Sequence, residues 1–148
     1  MSDLRELYQE LIIDHGRHPR NCRCMADANV SKEGFNPLCG DRLTLYLKTE
    51  GQKIVDASFE GSGCAISMAS ASLMTEVLKG KTLVEAKKIF DAFHLLVTSG
   101  KEIDMHLLGK LAVLKGVCEY PSRVKCATLA WHTMMAAMKR QSGNISTE

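Results

Sequence analysis

Among the residues of this chain whose types suit metal or thiol chemistry, four stand out by position: Cys39, Asp41, Cys64 and Cys126. Cys39 and Asp41 stand two apart in the run NPLCGDR, on a proline-and-glycine turn directly before the alternating segment LTLYLK. A soft thiolate beside a hard carboxylate suits a borderline cation such as Zn²⁺, which accepts sulfur and oxygen donors together. Read one at a time, each signal is weak. Asp41 can simply cap the turn, and a lone cysteine is about as often a small buried apolar side chain as a ligand.

The thiols are expected to be free for such chemistry. The run MSDLRELYQELIIDH has neither the basic n-region nor the apolar h-region of a secretory signal, and no stretch approaches the length of a membrane span, which predicts a cytoplasmic protein without a membrane partner. Six cysteines held reduced there favour metal binding or thiol reactivity over a disulfide framework. A net charge of +2 argues against nucleic acid. The one basic cluster, His15 to Arg23, has no interleaved aromatics and reads as a solvated or partner-facing surface.

The elements that must position the four residues follow from periodicity. Leu4, Leu7, Tyr8, Leu11 and Ile12 recur at helical spacing behind Ser2-Asp3, and Pro19 stops the helix by His18. A short edge strand is expected around Ala28 to Ser31. Leu43, Leu45 and Leu47 alternate with polar residues, Glu50-Gly51 turns, and Ile54, Val55, Ala57 and Phe59 return, which predicts a hairpin with one buried face. Helices follow from Cys64 to Lys79-Gly80 and from Thr82 to Val97. A shorter one through Leu107, Leu108, Leu111 and Leu114 ends at Gly116, and a last one runs from about Ser122 to Arg140. The fold class is α+β, with four to five helices on a small antiparallel sheet. At 148 residues and 45% hydrophobic content the expectation is one domain over 1–148, with a disordered tail from about residue 141.

On this map the cysteines fall at element ends. A hairpin of matched strands returns the chain to where it began, bringing Cys64 near Cys39 and Asp41, and packing of the last helix would add Cys126. Three thiolates and one carboxylate fit a tetrahedral ion. Their net charge of about −2 with a divalent cation asks for compensation, for which Arg42, Arg123 and Lys125 and the starts of two helices are placed.

The runs NPLCGDR, FEGSGCAISMASASLM and YPSRVKCATLAWHT, with HPRN after the first helix, resemble the SufU branch of the NifU N-terminal, or IscU-like, family of iron–sulfur cluster assembly proteins, over nearly the whole chain. The resemblance implies the SufE/NifU, IscU-like fold, a three-stranded antiparallel sheet with helices packed on it. It also implies a zinc site of Cys39, Asp41, Cys64 and Cys126, and a sulfur relay. In that relay Cys39 takes persulfide sulfur from a PLP-dependent cysteine desulfurase of SufS type and passes it toward a downstream Suf assembly scaffold. Arg123 is a candidate for steadying the negative site. The alternative within the family is an IscU-like scaffold carrying iron or a [2Fe–2S] cluster on Cys39, Cys64 and Cys126. That branch has a histidine immediately before the last cysteine and a Leu-Pro-Pro-Val-Lys sequence nearby, where this chain has Lys125 and Tyr120-Pro121-Ser122-Arg123-Val124-Lys125.

Other candidates read more simply. Cys22-Arg23-Cys24 has too short a bite for the usual Cys-x₂₋₄-Cys metal hook and, with Cys118, is read as incidental thiols. His132 lies about 240° around the last helix from Cys126, and His94 and His106 are read as surface or interface residues. Ser62, Ser67, Ser70 and Ser72 lack the G-x-S-x-G pattern and are read as small residues permitting close packing. A Cys–His hydrolase built on Cys64 or Cys126 would leave Cys39 and Asp41 without a role.

Overall fold

The alternation of Leu43, Leu45 and Leu47 with Arg42, Thr44, Tyr46 and Lys48 builds the centre of the sheet. In the computed structural model, which describes residues 2–37, 40–102, 104–139 and 145–146, the three leucines are buried on one face of β2 (Asp41–Glu50). β2 pairs antiparallel with β3 (Lys53–Ser62) through a tight turn at Gly51, and antiparallel with β1 (Val30–Asn36) on its other side. The strand order is β3-β2-β1-β4, where β4 (Ile145–Ser146) pairs in parallel with Gly34 and Phe35. β4 falls in the segment expected to be a disordered tail; the rest of 140–148 lies outside the described residues.

Among the described residues, five α-helices complete the expected α+β arrangement: α1 (Ser2–Arg17), α2 (Ala65–Leu78), α3 (Leu83–Ser99), α4 (Met105–Leu108) and α5 (Pro121–Met138). α2 and α5 lie on the leucine face of the sheet, α1 covers α2, and α3 packs on α5. α3 opens with a reciprocal capping box between Thr82 and Glu85 and closes on Gly100 in the left-handed conformation. α5 is buried on most of its circumference, by Ala127, Leu129, Ala130, Trp131, Met134 and Ala137 among others. Gly34 lets it approach β1, because a Cβ there would collide with the Thr133 side chain. Trp131 stacks on Phe93 with ring centres 4.8 Å apart and donates its indole N–H to Ser70 Oγ at 3.2 Å.

Two further elements differ from expectation. β1 runs to Asn36 instead of stopping near Ser31, since its inward positions are Lys32, Gly34 and Asn36, which carry no apolar alternation. The helix predicted through Leu114 is a single α-turn, after which Gly109 (φ 53°) breaks the direction and Gly109–Glu119 continues as a 3₁₀ helix. Its buried residues explain the change. Leu108, Leu111, Leu114 and Val117 recur every third residue, the period at which a 3₁₀ helix stacks side chains in one row.

The basic cluster also resolves differently. His15 is buried under α2, with Nδ1 2.7 Å from Ser72 Oγ and Nε2 3.7 Å from Glu76. Arg20 pairs with Asp14, and Arg23 with Asp56. Asn21 accepts the Phe59 N–H, so this loop covers one end of the exposed edge of β3, while Lys81 and Thr82 cover the other. The serines of α2 are hydrogen-bonding anchors as well as small residues: Ser70 donates to the Ala127 carbonyl, and Ser72 Oγ accepts the Arg20 N–H.

Burial, reinforced by the Arg20 guanidinium and opposed in part by Glu76, holds the His15 imidazole below its ordinary pKa of 6.5. Burial and the neighbouring His94 do the same to His132. The folded chain therefore resists protonation that the unfolded chain accepts, so stability is full above about pH 6.5 and declines as pH falls below it. Thermal midpoints followed from about pH 7.5 down to about pH 5.5 should fall, and His15→Gln should flatten that decline. An unchanged slope in the variant would remove His15 from this role.

Candidate metal centre

The hairpin closes as its length requires, with Asp41 at the start of β2 and Cys64 just past the end of β3. Asp41 is 1% exposed, an unusual place for a carboxylate, and Oδ1 accepts the Cys64 backbone N–H at 2.9 Å. Cys64 is the N-cap of α2 and is exposed, with Sγ accepting the Ser67 N–H at 3.4 Å. One helix start thus supports both donors, through backbone N–H groups and the positive end of the helix dipole. Cys126, in the second turn of α5, is buried, and its thiol donates to the Ser122 carbonyl at 3.6 Å.

An oxygen of Asp41 and the sulfurs of Cys64 and Cys126 all lie within 4.8 Å of one another. Ligands about 2.0–2.3 Å from a shared tetrahedral ion stand roughly 3.3–3.8 Å apart, so small adjustments would close this cluster on a metal. Asp41 Oδ2 is 3.9 Å from Cys64 Sγ. Two soft donors and one hard donor, two of them buried and one open to solvent, suit zinc, and a carboxylate taken out of water gains a cation to offset its desolvation. Among the described residues this is the one group of three or more such side chains close enough to share an ion. Cys39, the fourth expected ligand, lies outside the described residues; its neighbour Gly40 donates its N–H to the Asn36 carbonyl at 2.9 Å.

The remaining candidates sit elsewhere. Arg123 is exposed and stacks on the Tyr120 ring at 5.4 Å, beside the start of α5. Arg42 is exposed, on the face of β2 opposite to Asp41. Cys22 bridges to Phe59, and burial together with the Glu60 charge raises its pKa, which leaves less thiolate. Cys24 lies by Tyr46, whose hydroxyl donates to Glu60 at 2.6 Å; that bond and Cys24 hold the phenol well above its usual pKa. Cys118 is half-buried in the 3₁₀ segment. His132 belongs to a ring cluster with Phe90 and His94, His106 is exposed, and His15 is committed to Ser72. Sequence reasoning gave no site role to Gly63, where a Cβ would meet the Asp41 carboxylate, and read the nearby Ser67 only as a small packing residue. Their signal was present in EGSGCAIS, as a glycine and a serine either side of a predicted ligand.

The profile of the NifU-like N-terminal domain family matches residues 7–140. The zinc-dependent sulfurtransferase SufU of Bacillus subtilis strain 168 is 41% identical over 143 residues, covering 96% of each chain. The iron–sulfur cluster assembly scaffold protein IscU of Thermotoga maritima is 39% identical over 136 residues, covering 92% of this chain and 95% of its own. Among solved structures, a protein proposed as an iron–sulfur cluster assembly scaffold for the SUF system of Fervidobacterium islandicum AW-1 superposes with a TM-score of 0.84 at 40% identity, covering 90% of this chain and 98% of its own. No helix among the described residues is long and apolar enough to cross a membrane.

Proposed function

The chain belongs to the NifU-like N-terminal domain family, and from that premise we propose that it is a zinc-dependent sulfurtransferase of SufU type in iron–sulfur cluster assembly. Its sulfur donor is a PLP-dependent cysteine desulfurase of SufS type, and the sulfur goes on toward a Suf assembly scaffold. The observation that carries this reading is the meeting of Asp41, Cys64 and Cys126 within 4.8 Å at one end of the sheet. With Cys39 as the fourth donor, these residues hold zinc, which when bound keeps thiol donors deprotonated at neutral pH.

The chain's own part is to present one thiolate and hold the other donors still. Cys39 is the acceptor: its thiolate attacks the outer sulfur of the donor's persulfide, the donor's S–S bond breaks, and the donor cysteine leaves as a thiolate. The terminal sulfur moves with no net oxidation or reduction. Cys64 and Cys126 are less suited to this. One is the N-cap of a helix and the other is buried, whereas the sequence NPLCGDR puts Cys39 in a proline-and-glycine run, where access is expected to be easier. We assign the Arg123 guanidinium, which is exposed and stacks on Tyr120 beside the start of α5, the supporting role of steadying a persulfide anion.

The test joins metal analysis to desulfurase activity on one preparation. Colourless protein with about one zinc per chain that accelerates alanine release from cysteine supports the relay. Brown protein with visible absorbance and no acceleration supports the cluster scaffold of the IscU relatives instead. Asp41→Ala should weaken zinc binding about 10- to 100-fold, as loss of supporting groups at metal sites does, and should lower sulfur transfer by a larger factor. Three thiolates retain the ion, but the ligand best able to leave and return is gone. Full transfer and unchanged affinity in that variant would reduce Asp41 to a turn cap.

A further inference from the structure

Gly63 separates the end of β3 from Cys64. Its φ lies outside the left-handed region, so the backbone conformation there does not call for glycine. Its surroundings do. A Cβ at this position would stand 2.6 Å from Asp41 Oδ1, 3.1 Å from Asp41 Cγ and 3.2 Å from Ser67 Oγ, well inside the roughly 3.5 Å at which carbon meets its neighbours comfortably. The contrast with Gly61 is informative, because a Cβ there would strike the backbone of Arg42 and Leu43 and force two strands apart. At Gly63 the obstacle is the Asp41 carboxylate itself.

We propose that Gly63 is a positioning residue for Asp41. The missing side chain leaves the space that the buried carboxylate fills, and there Oδ1 is committed to the Cys64 N–H. Oδ2, on the side of Cys64 Sγ, takes no backbone bond and is the oxygen freer to meet a metal. Asp41 is thereby biased toward binding through one oxygen, tethered through the other to the chain that carries the next ligand. A carboxylate offering one oxygen is held less firmly than one offering two, and the tether keeps it in place whenever it is not bonded. This inference rests on the metal reading above and adds to it the device that sets how Asp41 binds.

The test uses Gly63→Ala, Asp41→Ala and the double variant, with two readouts. In metal-free protein, the Cys64 amide proton should resonate downfield because it is bonded to a carboxylate, and it should move upfield by a similar amount in all three variants. Zinc affinity, from competition with a chromogenic chelator, should fall about 10- to 100-fold for Gly63→Ala. The double variant should bind no more weakly than Asp41→Ala alone, since the two changes act through one carboxylate. Cobalt-loaded Gly63→Ala should show the visible spectrum of cobalt-loaded Asp41→Ala. The proposal is overturned if the amide stays in place in Gly63→Ala, or if Gly63→Ala costs the same factor in the Asp41→Ala background. An amide that moves while zinc affinity holds would overturn Asp41 as a ligand, and the proposal with it. Should Gly63→Ala fail to fold, Asp41→Asn decides. It keeps an acceptor for the Cys64 N–H but replaces the offered oxygen, and should lose as much zinc affinity as Asp41→Ala; retained affinity overturns the assignment.

Discussion

Cys39→Ser should abolish sulfur acceptance, while Cys22→Ser, Cys24→Ser and Cys118→Ser should leave it nearly intact. A serine hydroxyl stays protonated at neutral pH, is a poor nucleophile toward sulfur and cannot carry a persulfide, so the loss is complete rather than partial. The other thiols lack what the reaction needs. Burial and the Glu60 charge suppress ionisation of Cys22, and Cys118 is half-buried beside Gly100 in the 3₁₀ segment. Cys24 is exposed but sits with Tyr46 on the polar face of the sheet, away from the leucine face that supports α2 and α5. Intact-protein mass spectrometry after incubation with desulfurase and cysteine reads the result as one added sulfur atom per chain, and peptide mapping places it. A persulfide found mainly on Cys126 or Cys118 would overturn the assignment.

The meeting of Asp41 and Cys64 was legible because both lie at element ends, and ends are what turn and cap residues mark. Pro37 and Gly40 frame the turn before β2, Gly51 closes the hairpin, and Cys64 precedes a run of small and apolar residues at helical spacing; those signals alone carry Asp41 and Cys64 to one end of the sheet. β1 was harder to read because its inward positions are a lysine, a glycine and an asparagine, so the period-two pattern existed in space without existing in hydropathy. The 3₁₀ segment was misread for a related reason. Leucines at 108, 111 and 114 satisfy a helical template, and only the continuation to Val117 at the same interval separates a period of three from one of 3.6. His15 looked like part of a charged surface because its neighbours in sequence are basic. Its burial comes from Ser72, 57 positions away, a partner that local pattern cannot supply. Gly63 was hidden more deeply, since a glycine read locally suggests a turn and this one serves a side chain from another strand.

Trp131→Ala should produce the largest loss of stability of any single core change. Trp131 is the largest fully buried side chain, stacks on Phe93 and bonds Ser70, which itself holds the Ala127 carbonyl. Truncation of such a residue costs about 3–5 kcal/mol, and for a domain near this size each kcal/mol is about 2–4 °C, so the midpoint should drop by roughly 6–20 °C. The consequence reaches the proposed metal centre because Cys126 lies on the same helix, while its proposed co-ligands Asp41 and Cys64 come from β2 and from the start of α2. An ion held by all three binds the folded chain far better than the unfolded one, and at about a thousand times its dissociation constant contributes about 4 kcal/mol, less whatever unfolded cysteines capture. That is close to what the tryptophan supplies. Zinc should therefore raise the midpoint of wild type and variant alike, and in the variant offset most of the lost stability, with a strong chelator reversing the gain in both. Melting each protein in zinc and in chelator measures this directly. If zinc stabilises wild type but not Trp131→Ala, the indole orients Cys126 as well as filling the core; if confirmed zinc removal leaves the wild-type midpoint unchanged, the three elements are not tied through a metal at all.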